Sequence, residues 1–143
     1  MDGKESRMEY RELIIQAVAA KESAYAPYSK FRVGAALLTK SGRIFTGCNI
    51  ENVSFSATNC AERTAVFKAV SEGEREFEAI VITGDNYDYL APCGICRQVL
   101  AEFCDFDTFS VILANDQEDY RVMTLGELLP GPFRKENLKP GRF

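Results

Sequence analysis

The 143-residue chain carries 17 basic and 21 acidic side chains for a net charge of −4, with 46% hydrophobic and 27% charged residues, the balance of an ordinary soluble globular protein. No apolar run approaches the ~20 residues of a membrane span, the start Met1-Asp2-Gly3-Lys4-Glu5-Ser6-Arg7 is polar and reads as no secretory signal, and without a Lys/Arg cluster capture of a nucleic-acid backbone is not expected. A small, neutral partner suits the charge better. One domain over 1–143 is expected, with loose ends at 1–8 and 135–143. Five cysteines, an odd number without a signal peptide, argue for reduced thiols in the cytoplasm and for metal or catalytic use of the spaced ones.

Leu13, Ile14, Ala17, Val18 and Ala24 recur at helical spacing, which predicts an amphipathic helix over about 10–23 that packs on a sheet. Pro27 disfavours helix at Ala26 and ends it. Residues 31–39 and 44–50 are apolar runs about a Lys40-Ser41-Gly42-Arg43 turn and read as a β-hairpin. Residues 53–59 lack a period and read as a loop into a helix starting near Cys60, with Ala61, Ala65, Val66, Ala69 and Val70 as its buried face and Gly73 as its stop. Residues 79–83 read as a buried strand and 84–91 as a polar loop. Pro92 sits where a helix can begin, with 93–103 as its body. Residues 108–114 and 120–123 read as strands around an Asn115-Asp116-Gln117 turn, and Thr124-Leu125-Gly126-Glu127 has capping-box spacing before a brief helix. This order fits an α/β protein with one central sheet and helices on its faces.

Two pieces carry the chemistry: Cys60-Ala61-Glu62-Arg63 and Pro92-Cys93-Gly94-Ile95-Cys96-Arg97-Gln98. Three thiols in a C-x-E … P-C-x-x-C arrangement supply three ligands to a tetrahedral zinc and leave the fourth position open to water, the plan of a catalytic site. The arrangement matches the known signature of zinc-dependent base deaminases, whose ligands are one His and two Cys or three Cys. The chain has no histidine, so on that pattern the ligands are Cys60, Cys93 and Cys96. Cys60 and Cys93 fall at predicted helix N-termini, where unpaired N–H groups and the helix dipole favour thiolate. Cys96 lies in the same first turn as Cys93, so the pair can chelate one ion. Three thiolates on Zn²⁺ leave a formal charge of −1, which makes bound water less acidic than it is under three neutral histidines. Arg63 and Arg97, each within one turn of a ligand, are expected to offset that charge by hydrogen bonds to the sulfurs. Glu62, two residues from a ligand, is suited to take the water proton and pass protons to a ring nitrogen and a leaving amine.

Each signal alone has a blander reading. A lone C-x-x-C is more often structural zinc or a redox pair, and it is Cys60-Ala61-Glu62 that tips the balance to catalysis. Cys48 keeps a closed four-sulfur structural site with Cys60, Cys93 and Cys96 in contention, although its place in an apolar strand favours a buried small hydrophobe. Cys104 reads as core or surface filler. Taken singly, Glu62, Arg63 and Glu51 are solvated residues, Asn49 and Asn52 turn residues, and Phe31 and Phe133 core aromatics.

Phe31-Arg32-Val33-Gly34-Ala35-Ala36, Gly47-Cys48-Asn49-Ile50-Glu51-Asn52 and the two cysteine segments together resemble the small, homotetrameric zinc cytidine deaminases. The resemblance covers nearly the whole chain, through Leu128-Leu129-Pro130-Gly131-Pro132-Phe133. It implies a three-layer α/β/α sandwich with a five-stranded mixed sheet. It also implies conversion of cytidine and deoxycytidine to uridine and deoxyuridine, with release of ammonia, in pyrimidine salvage. Carried over by motif, Cys60, Cys93 and Cys96 would hold zinc, Glu62 would shuttle protons and Arg63 would temper the thiolates. Asn49 and Glu51 would bind the ribose 3′-hydroxyl, the Ala61 N–H would meet the pyrimidine O2, Phe31 would pack on the base, and Phe133 of a neighbouring subunit would help close the pocket. One position departs: Phe55 stands where the family usually has tyrosine, and lacks the hydroxyl that would reach the 5′-hydroxyl of a neighbour's substrate. Within the same chemistry the rival is a zinc deaminase of another small substrate, such as an aminated nucleoside antibiotic, and Asn49 and Glu51 speak against it. An RNA or DNA editor is disfavoured by charge and size, and a non-enzymatic structural zinc module is the other class.

Overall fold

The apolar run after Phe31 extends as β1 (Val33–Thr39) and turns back into β2 (Ile44–Cys48) through Gly42, whose φ of 92° is a left-handed conformation that glycine adopts without a Cβ clash. The computed structural model describes residues 3–86, 88–115 and 119–138, with side chains from residue 10 onward. In it β3 (Phe77–Gly84) pairs antiparallel with the other edge of β1, β4 (Ser110–Ala114) lies parallel to β3, and β5 (Tyr120–Thr124) pairs antiparallel with β4. The strand order is β2-β1-β3-β4-β5. A parallel step needs a crossover, and helix α3 (Gly94–Phe103) supplies the one from β3 to β4.

Successive strand residues face opposite sides of the sheet. On one face Leu13, Ile14 and Ala17 of α1 (Gly3–Lys21) pack with Ala36, Ala79, Val81 and Ile112. On the other, Ala61, Ala65 and Ala69 of α2 (Ala61–Ser71) and Leu100 of α3 pack with Ala35, Leu37, Ile80, Ile82 and Val111. The result is the expected three-layer α/β/α sandwich on a five-stranded mixed sheet. The expected capping box opens α4 (Leu125–Leu128): Glu127 N–H donates to Thr124 Oγ1 at 3.2 Å, and Thr124 N–H to Glu127 Oε1 at 3.1 Å. Gly47 lets α2 rest on bare strand, since a Cβ there would lie 2.3 Å from the Ala61 carbonyl oxygen.

Several boundaries differ from those read in the sequence. Helix α1 begins at Gly3, not near Tyr10, because Lys4, Glu5, Arg7 and Met8 are good helix formers that carry no apolar period. It ends at Lys21, two residues early. Strand β3 starts at buried Phe77, and β4 at Ser110. The loop at 53–59 contains a 3-10 turn (Phe55–Ala57), and a second one (Lys135–Leu138) occupies part of the expected loose end. Residues 1–2, 116–118 and 139–143, where other end and turn expectations fall, lie outside the described residues. Among the described residues no helix is long and apolar enough to cross a membrane.

Candidate active site

Cys60 is the N-cap of α2 and Cys93 the N-cap of α3, both with extended backbone (ψ 156° and 169°) and neither thiol capping a backbone N–H of its own helix. A residue in this position sits beside unpaired N–H groups and the positive end of the helix dipole. The fold brings both caps together: the Cys60 and Cys93 sulfurs are 3.8 Å apart, and Cys93 and Cys96 3.4 Å. All three sulfurs lie within 4.8 Å of one another and could hold one metal ion. Tetrahedral zinc with bonds of about 2.3 Å sets its sulfurs about 3.8 Å apart, so the donor set fits zinc. Among the described residues Cys48 is not part of this group. It ends β2 opposite Gly34, with its thiol pushed up by burial, and the four-sulfur alternative lapses.

One helical turn beyond Cys60, Arg63 places Nη2 3.2 Å from the Cys60 sulfur. Hydrogen bonding from Cys96, then from Arg63, overcomes burial and brings the Cys60 thiol down to about 5. Cys96, bonded to the charged Cys60 and itself buried, is pushed up in return. Burial works against the Arg63 charge, but the two sulfurs outweigh it and raise its pKa. Arg63 is therefore where the sequence placed it. Arg97 is not. Its Nε donates to the Pro92 carbonyl at 2.7 Å and its Nη1 to the Leu128 carbonyl at 2.6 Å, instead of to the sulfurs. The residue after Cys96 is rotated about 100° around the helix from it, so the Arg97 side chain leaves on another face and holds the backbone next to Cys93.

Glu62 follows in the first turn of α2, only 5% exposed. Burial raises its pKa to about 7, with the Cys60 charge adding and its own backbone N–H opposing. A carboxyl balanced near neutral pH can both accept and return a proton. It lines a cavity of about 220 Å³ together with Phe31, Asn49, Cys60, Ala61 and Cys93. The same cavity is walled by Val33, Thr58, Leu90 and Ala91, which the sequence reading did not single out. The signal for the last two was their direct junction with Pro92-Cys93.

Glu51 and Phe133 do not face this cavity in their own chain. Glu51 lies in an adjoining depression with Tyr28, Ser29, Asn52 and Phe55, with Thr58 shared between the two. Its carboxylate accepts the N–H of Tyr28 at 3.0 Å and of Ser29 at 3.1 Å, and a short bond from the Ser29 hydroxyl, the largest cause of its lowered pKa. The Asn49 amide accepts from Val33 N–H at 2.8 Å and donates to the Phe31 carbonyl at 2.9 Å. The Phe133 ring is exposed, and its carbonyl accepts from the Gln98 amide at 2.8 Å.

The family model for the cytidine and deoxycytidylate deaminase zinc-binding region matches residues 8–112. The chain belongs to this family. A cytidine deaminase of Sporosarcina psychrophila is 53% identical over 131 residues, 92% of this chain and 96% of the relative, and one from Halalkalibacterium halodurans is 53% identical over 92% of this chain and 98% of the relative. The crystal structure of cytidine deaminase from Burkholderia pseudomallei superposes with a TM-score of 0.83 at 52% identity, over 87% of this chain and 98% of that one. Membership of this zinc-binding family names the metal that the Cys60, Cys93 and Cys96 cluster is built to take.

Proposed function

We propose that this protein is a cytidine deaminase that hydrolyses cytidine and deoxycytidine to uridine and deoxyuridine with release of ammonia. The observation that carries this reading is the meeting of Cys60, Cys93 and buried Glu62 in the lining of one small cavity, with the Cys96 sulfur completing the cluster behind it. Bound there, zinc supplies Lewis acidity and lowers the pKa of water toward neutrality. Glu62 takes a proton from the attacking water, delivers a proton to N3 of the cytosine ring, and then carries one to the departing amine. The Ala61 N–H, in the first turn of α2 where no helical acceptor exists, meets the pyrimidine O2, and the Phe31 ring packs on the base. Asn49 and Glu51 bind the ribose 3′-hydroxyl; a carboxylate has about four acceptor sites, which leaves room for it beside the Tyr28 and Ser29 donors. Arg63 tempers the thiolates, and Arg97 steadies the ligand-bearing segment. Exposed Phe133 closes the cavity of a neighbouring subunit in a homotetramer. The setting is pyrimidine salvage in the cytoplasm, carried out by one domain over 1–143 with neither nucleic acid nor membrane as partner.

The deciding experiment follows the cytidine absorbance band with wild type and Glu62→Ala, with bound zinc quantified in both. Zinc in both and turnover only in wild type is expected. Zinc with no turnover of either cytidine or deoxycytidine by wild type would sink the reading.

A further inference from the structure

The segment that presents Phe31 is tied down almost residue by residue. Tyr28 and Ser29 donate their N–H groups to Glu51, and Phe31 N–H donates to Ser29 Oγ at 3.1 Å. Asn49 takes the Phe31 carbonyl and the Val33 N–H. Between these ties Lys30 sits at φ 60°, a left-handed conformation that a side chain with a Cβ rarely adopts and that its neighbours must enforce. Lys30 N–H donates to the Ala26 carbonyl at 3.1 Å, and the last backbone donor of the segment, Arg32 N–H, goes to Asp85 Oδ2 at 2.9 Å.

Asp85 does more than accept that bond. Its Oδ2 also takes Arg32 Nε at 2.9 Å and its Oδ1 takes Nη2 at 3.1 Å, the two-pronged geometry that makes arginine–carboxylate pairs directional. Buried Lys21 lies 3.5 Å from the same carboxylate and donates to the Gly84 carbonyl at 3.1 Å. Just before Asp85, a Cβ on Gly84 would stand 2.8 Å from Phe31 Cζ. The pair Phe31-Arg32 is thus locked against the pair Gly84-Asp85, ring on bare backbone and guanidinium on carboxylate. We propose that Asp85 is a positioning residue for the deamination, holding Arg32 so that the Phe31 ring is seated on Gly84 as the wall against which the pyrimidine packs. The proposal rests on the role given to Phe31 above.

The test is steady-state kinetics on cytidine with wild type, Asp85→Ala, Asp85→Asn, Phe31→Ala and the Asp85→Ala/Phe31→Ala double variant, with zinc content and melting temperature measured for each. Misplacing a binding wall acts equally on ground and transition states, so Asp85→Ala is expected to raise KM about tenfold with kcat within about twofold. Asp85→Asn keeps an acceptor for Arg32 N–H and recovers most of the loss. In the Phe31→Ala background the Asp85→Ala change adds less than about twofold, as for two residues acting through one contact. Independent, multiplying effects of the two substitutions, or a fall in kcat with KM unchanged, would overturn the proposal. Should Asp85→Ala fail to fold, Gly84→Ala moves the ring directly and takes its place: the same KM rise, absent in the Phe31→Ala background, supports the seat, and an unchanged KM removes it. A wild type with no cytidine turnover overturns the functional reading and this proposal together; an active wild type with multiplying effects overturns this proposal alone.

Discussion

Arg63 Nη2 stands 3.2 Å from the Cys60 sulfur, so that a thiol placed to bind metal and a guanidinium placed to offset its charge share one turn of one helix. Protons compete with metal for a thiolate, and hydrogen bonds from Cys96 and then from Arg63 hold the pKa of the metal-free Cys60 thiol well below its ordinary range, which favours the charged ligand at neutral pH. Replacing Arg63 by Gln lets that pKa rise toward the ordinary thiol range, and the pH at which zinc is released moves upward with it. Chelator competition between pH 5 and 8 should show zinc affinity at neutral pH reduced about 10- to 100-fold. A release midpoint that does not move would assign the lowered Cys60 pKa to the other thiols alone.

Glu62 destabilises the fold that it serves. Its pKa is about 4.5 in an unfolded chain and about 7 in the native site, because burial disfavours the carboxylate. The native state therefore binds its proton more tightly than the unfolded state does. Stability is intact below 4.5, falls as pH rises, and has lost the full amount above about 7. Each tenfold difference in proton affinity between the two states is worth about 1.4 kcal/mol. In chelator-stripped protein, Glu62→Gln should therefore raise stability at pH 8 by up to about 3 kcal/mol and leave it unchanged near pH 4. Urea melts at both pH values check this; an equal gain at both would point to packing instead of ionisation.

Arg97→Ala removes the bonds to the Pro92 and Leu128 carbonyls. Hydrogen bonds to a charged donor of this kind contribute more than neutral ones, and a loss of about 2 kcal/mol in stability is expected. Zinc should also be retained less well, because the Pro92 peptide leads directly into Cys93. The Cys60-linked pH midpoint of zinc release stays where it is, which distinguishes this variant from Arg63→Gln in the same titration.

Phe55 is 80% exposed beside Glu51. Restoring a hydroxyl there by Phe55→Tyr should lower KM for cytidine several-fold, as one added hydrogen bond worth about 1 kcal/mol would. Deoxycytidine should gain equally, since the 5′-hydroxyl is common to both. If the sugar end of the substrate does not approach residue 55 across a subunit boundary, KM stays unchanged in both cases.

The helices that carry the cysteines were legible because each begins at a cysteine followed by an apolar period, and Arg63 was legible because its partner lies three residues away. The partners of Arg97, Glu51 and Asp85 were not. Arg97 meets Leu128 across 31 positions, Glu51 meets Ser29 across 22, and Asp85 meets Arg32 across 53. Periodicity reports which face of an element is apolar, not which elements become neighbours. The same reasoning explains the sheet: the β1–β2 hairpin was readable from its turn, whereas the insertion of β1 between β2 and β3 depends on pairs as far apart in sequence as Val33 and Gly84.

A methyl group at Gly47 would collide with the Ala61 carbonyl, and one at Gly34 would lie 2.0 Å from the Ala17 carbonyl. The height of Cys60 and Glu62 above the sheet is consequently gauged by peptide against peptide, without a side chain in between. The next residues after Gly47, Cys48 and Asn49, lead straight to the segment assigned to the sugar, so one contact sets the span between the reacting end and the ribose end. Such a spacer keeps its thickness when core residues drift from Val to Ile or Leu to Met. The span set by Gly47 is lost only when that position gains a carbon, which would push α2 away from the strand.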